Sequence, residues 1–228
     1  MPFLSRKVIL SVSVAVIAVA ALTAVGLQRY KPLEPVTVTE HQQIWATPVD
    51  KGFNLYQMTP NLYRSALPTA DNVPILQALN VGTVVTFIKD DDKTWMGNAQ
   101  MSRVSIPLHA DRVTDADVIR VLHVLQDAGE KGPVLMHCKH GRDRTGLMAA
   151  MYRMVIQGWS KTEAISEMRT GGFGDPERMA DALAYVQNAD VEAIKQAYNS
   201  GKCSTSPLST CYAKNWLTSV FSLAKADD

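Results

Sequence analysis

Ten residues, His137-Cys138-Lys139-His140-Gly141-Arg142-Asp143-Arg144-Thr145-Gly146, sit between two apolar stretches of different kinds. Val134-Leu135-Met136 precedes them, short and wholly apolar, as a strand buried in a sheet reads. Residues 147–157, LMAAMYRMVIQ, follow as a helical stretch that Gly158 stops. The chain must therefore pass from buried strand to helix through a tight loop between Cys138 and Arg144. Gly141 gives that loop a backbone conformation closed to residues with a Cβ.

The rest of the chain supplies the sheet this unit needs. Asn54–Tyr56 and Asn61–Arg64 read as short strands around Thr59-Pro60, and Asp71–Leu79 as a short helix with Pro74 in its first turn. Thr83–Ile88, TVVTFI, is a β-branched run expected to be buried on both faces. Asp90-Asp91-Asp92 makes an acidic loop, Ser102–Leu108 a further strand and His109–Val113 a loop. Thr114 and Asp117 have capping-box spacing, and Val118, Val121, Leu122 and Leu125 then fall on one helical face. Ser160 with Glu163 opens a helix to about Thr170. Asp175-Pro176 and Asp190 cap two more, and Leu217, Val220, Phe221 and Ala224 line a last amphipathic one. Strands alternating with helices imply an α/β fold with a mostly parallel central sheet flanked by helices on both faces.

The spacing of Cys138 and Arg144 is the C-x5-R signature of cysteine-dependent phosphatases, and its flanking residues make chemical sense. A strand-to-helix loop turns backbone N–H groups inward, and the helix N-terminus adds partial positive charge, so the loop is a nest for a phosphate. Lys139, His140, Gly141, Arg142, Asp143 and Arg144 would form its wall. The same field favours a thiolate at Cys138 on the floor, the form that attacks phosphorus. Arg144 can take two phosphate oxygens side by side, which a lysine cannot. Thr145 can donate a hydrogen bond to the sulfur and ease its later departure. His137 is expected to bond the loop backbone rather than act as base or ligand, while His140 faces substrate or solvent. Phosphoryl transfer also needs an acid for the leaving oxygen. Asp111 is the first candidate, since its loop should lie at the same sheet edge as Cys138, with Asp90, Asp91 or Asp92 in reserve. Asp115 and Asp117 belong to the helix start. No spacing of His and Cys implies a metal, and no cofactor is called for.

Charge and the chain ends bear on location. The net charge of +1 argues against a nucleic-acid partner that takes many phosphate contacts. Arg6, Lys7, Arg29 and Lys31 all lie within residues 1–31, which hold no acid, so the remainder carries 19 basic against 22 acidic residues. An anion site must then be built locally. Val8–Leu27 is an uncharged run of 20 residues, long enough as a helix to span about 30 Å of bilayer core. Residues 1–31 thus read as an inner-membrane anchor or a cleaved export signal, and either places the rest outside the cytoplasm. Residues 32–50 read as a linker, 51–200 as the catalytic domain, and 201–228 as a loop and helix packed on it. In an oxidising compartment Cys203 and Cys211, which flank a Ser/Pro-rich loop, are expected to pair as a disulfide.

The segment from Tyr63-Arg64-Ser65 to Asp175 resembles the bacterial, dual-specificity-like branch of the protein tyrosine phosphatases. The likeness rests on LYRSALP at Leu62–Pro68, FIKDDD at Phe87–Asp92, HADRV at His109–Val113, the Cys138 motif and GGFGD at Gly171–Asp175. It implies the cysteine-phosphatase fold and hydrolysis of phosphotyrosine through a phosphocysteine intermediate. It also implies a periplasmic location and signalling linked to biofilm behaviour. By position, Cys138 would be nucleophile, Arg144 the phosphate clamp and Asp111 the general acid, although Asp111 lacks the preceding Trp-Pro of receptor-type relatives.

Lys139 and Arg142 on the rim leave two substrate classes open. One is a phosphorylated protein, including phosphoserine or phosphothreonine and including a membrane protein. The other is an inositol polyphosphate or another small phosphoester. A catalytically dead binding module and a sulfurtransferase also carry loop cysteines, but Arg144-Thr145-Gly146 together with Asp111 favours phosphate hydrolysis. Packing around Tyr56, Tyr63 and Trp95 is expected to set the pocket depth.

Overall fold

A computed structural model describes residues 45–200 of the chain. The apolar run Val8–Leu27, most of the linker, Cys203, Cys211 and the helix expected near 217–224 lie outside the described residues. Among the described residues no helix is long and apolar enough to cross a membrane.

One sheet contains β1 (Thr47–Asp50), β2 (Leu55–Thr59), β3 (Leu62–Ser65), β4 (Thr83–Thr86), β5 (Ser102–Ser105) and β6 (Val134–His137), in the order β1-β2-β3-β6-β4-β5. The helices are α1 (Val73–Ala78), α2 (Lys93–Met96), α3 (Asp115–Gly129), α4 (Arg144–Val155), α5 (Lys161–Thr170), α6 (Ala180–Asn188) and α7 (Val191–Asn199). The sheet is mixed rather than mostly parallel. β3, β6, β4 and β5 run parallel, but β1–β2 and β2–β3 are antiparallel. Connection length decides this. Only Pro60 and Asn61 join β2 to β3, too few residues for a crossover, whereas helical segments separate the parallel neighbours.

β1 lies inside the segment read as linker. Its four residues, TPVD, are mostly exposed and hold a proline and an aspartate, so no alternation marks them as a strand. As an edge strand it needs none.

Alternation in the central strands divides two cores. Tyr63, Val84 and Leu135 face α1 and α2, packing with Leu76, Trp95 and Met96. Leu62, Val85, Val134 and Met136 face the other layer, packing with Val118, Leu122, Leu147 and Met151. The expected capping boxes form: Thr114 Oγ1 accepts from Asp117 N at 3.3 Å, and Ser160 Oγ accepts from Glu163 N at 3.3 Å. Asp190 caps α7 through a bond from Ala193 N. Asp175-Pro176 opens a 3-10 turn, Pro176–Met179, that leads into α6.

A buried ion pair locks α4 to α5 and to the start of β1. Arg153 donates through Nε and Nη2 to Glu167 at 2.8 and 2.7 Å, lies over the Trp159 ring, and shares Glu167 with Ala46 N. Removing either partner would strand a buried charge at a cost of about 3–5 kcal/mol.

Candidate active site

Strand β6 carries the chain into Cys138 at the C-terminal edge of the sheet, and α4 starts at Arg144. Cys138 is buried, at 1 % exposure, and packs in the helix-side core. The loop above it is oriented by three carbonyl contacts in succession. Lys139 O accepts from Leu67 N at 3.3 Å, His140 O from Asn54 Nδ2 at 3.0 Å, and Gly141 O from Arg64 Nη2 at 2.8 Å. A trans peptide points its N–H opposite to its C=O. The N–H groups of His140, Gly141 and Arg142 are therefore turned away from these outer donors, into the concave side of the loop. That orientation is compatible with the anion nest expected from the sequence.

Gly141 has φ +71, and a Cβ there would lie 2.5 Å from Ala66 N and 2.6 Å from Ser65 C. The loop can seat on the end of β3 only with glycine at this position. Arg64 holds it from beneath. That side chain is fully buried, and its guanidinium lies 3.6 Å over the Phe173 ring, which Tyr56 meets edge-on. Burial lowers Arg64 to about 10, while Glu167 and Cys138 favour its charged form. Sequence reasoning missed Arg64 as a support for the loop. The available signal was an arginine inside a strand whose every position is buried. The GGFGD segment serves the same end, because a Cβ at Gly171 would strike the Phe173 ring at 2.5 Å.

Arg144 Nη1 donates to Phe87 O at 3.2 Å and to Leu108 O at 3.4 Å. It thereby ties α4 to the ends of two neighbouring segments, one of which leads into the 3-10 turn Ala110–Arg112 that carries Asp111. Asp111 is solvent-exposed and sits 3.5 Å from Arg112 Nε. It is near enough to the loop to act on Asp143, whose carboxyl is raised above the ordinary range first by burial and further by Asp181 and Asp111, against Arg144 and Arg142. Thr145 is fully buried and its Oγ1 has no hydrogen-bond partner among the described residues. Asp115 accepts from Tyr185 and Asp117 caps α3, as expected of acids at a helix start.

Lys139 and His140 are exposed on the rim. Arg142 is half-buried against Gly174, where a Cβ would meet Arg142 Cδ at 3.1 Å. His140 is lowered by desolvation and then by Arg142, Lys139, Arg144 and Arg178, four cations around one imidazole.

Other expectations change. His137 uses its ring to meet a side chain rather than the loop backbone: Nε2 lies 3.1 Å from Asp92 Oδ2. Asp92 is consequently no reserve acid. It is buried, and its other oxygen accepts from Trp95 Nε1 at 2.9 Å. Asp91 accepts from Lys93 N at the start of α2 and pairs with Arg103. Tyr56, Tyr63 and Trp95 are buried in the cores, with Tyr56 donating to Gly172 O.

Comparison with known proteins follows this geometry. The profile of the tyrosine phosphatase family matches residues 51–206. The dual specificity protein phosphatase TpbA of Pseudomonas aeruginosa is 55% identical over 181 residues, covering 79% of this chain and 83% of TpbA. A crystal structure of a cysteine-to-serine TpbA from P. aeruginosa in complex with phosphotyrosine superposes with a TM-score of 0.68 at 58% identity, covering 69% of this chain and 97% of that one. The inositol diphosphatase DSP5 of Arabidopsis thaliana is 28% identical over 152 residues, 63% of this chain and 72% of its own length. With a buried cysteine below an outward-turned loop and a family match over most of its length, this chain belongs to the tyrosine phosphatase family.

Proposed function

We propose that the chain hydrolyses phosphotyrosine, and secondarily phosphoserine or phosphothreonine, on proteins through a phosphocysteine intermediate. The observation that carries the reading is the loop itself, whose three successive carbonyls are held outward above a buried Cys138. Phosphate enters with its oxygens on the inward N–H groups. With Nη1 of Arg144 held by Phe87 O and Leu108 O, the Nε and Nη2 edge of the guanidinium takes two of those oxygens. The Cys138 thiolate attacks phosphorus, the P–O bond to tyrosine breaks, and Asp111 gives its proton to the departing phenolate. Asp111, now a carboxylate, takes a proton from water, which attacks the phosphocysteine. Phosphate leaves and the thiolate returns, accepting a hydrogen bond from the buried Thr145 hydroxyl, which is without a partner among the described residues.

Location refines the substrate. The apolar run Val8–Leu27 behind Arg6 and Lys7 supports export to the periplasm, anchored in the inner membrane or released, where a phosphorylated membrane protein is a fitting substrate. TpbA's dual-specificity name and its phosphotyrosine complex support the substrate class. A second reading, an inositol polyphosphate, is favoured by Lys139, exposed on the loop, and the half-buried Arg142 near it.

The test pairs wild type with Cys138→Ser on a phosphotyrosyl peptide and an inositol pyrophosphate. Wild type should turn over the peptide with the higher kcat/KM and show an acid-trapped phosphocysteine that Cys138→Ser lacks. Turnover by Cys138→Ser, or no covalent adduct in wild type, would overturn the mechanism. Preference for the inositol compound would replace the substrate.

A further inference from the structure

The loop Phe87–Asp92 does more than connect β4 to α2. Phe87 N donates to His137 O at 2.9 Å, Phe87 O accepts from Arg144, and Asp92 reaches the His137 ring. One short segment thus holds the residue before Cys138 by backbone and side chain, and holds the guanidinium at the far end of the same loop.

The chemistry of the side-chain contact is constrained. Trp95 Nε1–H is only a donor, so Asp92 Oδ1 accepts. An ionised Asp92 also accepts at Oδ2, which requires the proton on Nε2 of His137. Nδ1 is then an acceptor. It is buried and has no partner among the described residues, and the same is true of Thr86 Oγ1. Thr86 stands directly opposite His137 in the parallel register of β4 and β6, so the two side chains project from the same face of the sheet.

We infer that Asp92 and His137 form a buried positioning pair behind the nucleophile. Asp92 fixes the Nε2–H tautomer of His137 and with it the orientation of the ring. The ring so held sets the peptide that enters Cys138. Asp92 acts through His137 and touches no substrate, so it is a positioning residue. The consequence for catalysis rests on Cys138 being the nucleophile, whereas the tautomer does not.

The experiment uses full-length protein, labelled with 15N at histidine, and Asp92→Asn. The amide keeps an acceptor for Trp95 but presents N–H to Nε2, which reverses the tautomer. Wild type should show His137 protonated at Nε2 and Asp92→Asn at Nδ1. kcat on a phosphotyrosyl peptide should fall about tenfold with KM within about twofold, because the defect lies at the reacting sulfur and not at the rim. Where Asp92→Asn fails to fold, the wild-type tautomer alone decides. A wild-type His137 protonated at Nδ1, or an Asp92→Asn with unchanged tautomer and kcat, would overturn the proposal. If wild type turns over no phosphotyrosine, the mechanism proposed above fails and the tautomer comparison still decides this one.

Discussion

Two loops meet at the same edge of the sheet and are built in opposite ways. The loop from Cys138 to Arg144 is held at three successive peptides, by Leu67, Asn54 and Arg64, over a glycine that only just clears the end of β3. The turn carrying Asp111 is exposed, and among the described residues its acid pairs only with the neighbouring Arg112, at 3.5 Å. The difference fits the two tasks proposed for them. An anion cradle stabilises charge in proportion to how little it must reorganise, so rigidity is an advantage there. A proton donor must meet a leaving group, then a water, and mobility with solvent access suits both. Arg144 joins the two regions, since its Nη1 bonds to Leu108 O just upstream of the acid turn.

Substitutions can break that comparison at graded strength. Arg144→Lys removes both the fork and the tie between loops, and kcat/KM on a phosphotyrosyl peptide should fall by about 10³. A loss under tenfold would mean that the backbone nest alone binds the phosphate. Asp111→Asn should lower kcat about 10²-fold on the peptide. On p-nitrophenyl phosphate, whose leaving group needs no proton, the loss should be far smaller, and equal losses on both would remove Asp111 as the acid. Gly141→Ala tests rigidity directly. The strained φ and the contact with Ser65 and Ala66 should cost about 2 kcal/mol in urea unfolding, whereas Val113→Ala on the acid turn should cost less.

The smallest effect is electrostatic. The Asp143 carboxyl is raised in the folded chain, chiefly by burial, so the unfolded chain ionises first. Its favourable contribution is complete below the unfolded value and is lost as pH rises through the folded one. Asp143→Asn should therefore stabilise by about 0.5 kcal/mol at pH 7 and have no effect near pH 3, read as a shift in melting temperature at each pH. Stabilisation at acid pH instead would reverse the assigned sign.

Legibility in the sequence followed the range of the forces involved. Elements set by local periodicity and caps were readable: β6 at Val134–His137, α3 behind Thr114 and Asp117, α5 behind Ser160 and Glu163. Edge strand β1 was not, because a strand exposed on both sides carries no pattern. Cys138 and Arg144 were found because their chemistry requires a fixed spacing within one loop. Arg64 and Phe173 were missed because they reach that loop from opposite ends of the domain. Asp92 was misread for a related reason, since three consecutive aspartates look alike until a histidine 45 residues away selects one of them.

Sequence alone determined a strand, a glycine-centred loop and a helix around a cysteine and an arginine, since backbone sterics and anion chemistry act over a few residues. Tertiary structure decided which way the loop carbonyls face, which aspartate is buried and which stays in water. Those outcomes depend on donors from β3 and on the residue before β2, and on the register that sets β4 beside β6. Distant segments meet only when the sheet closes, and no short stretch of the chain encodes that meeting.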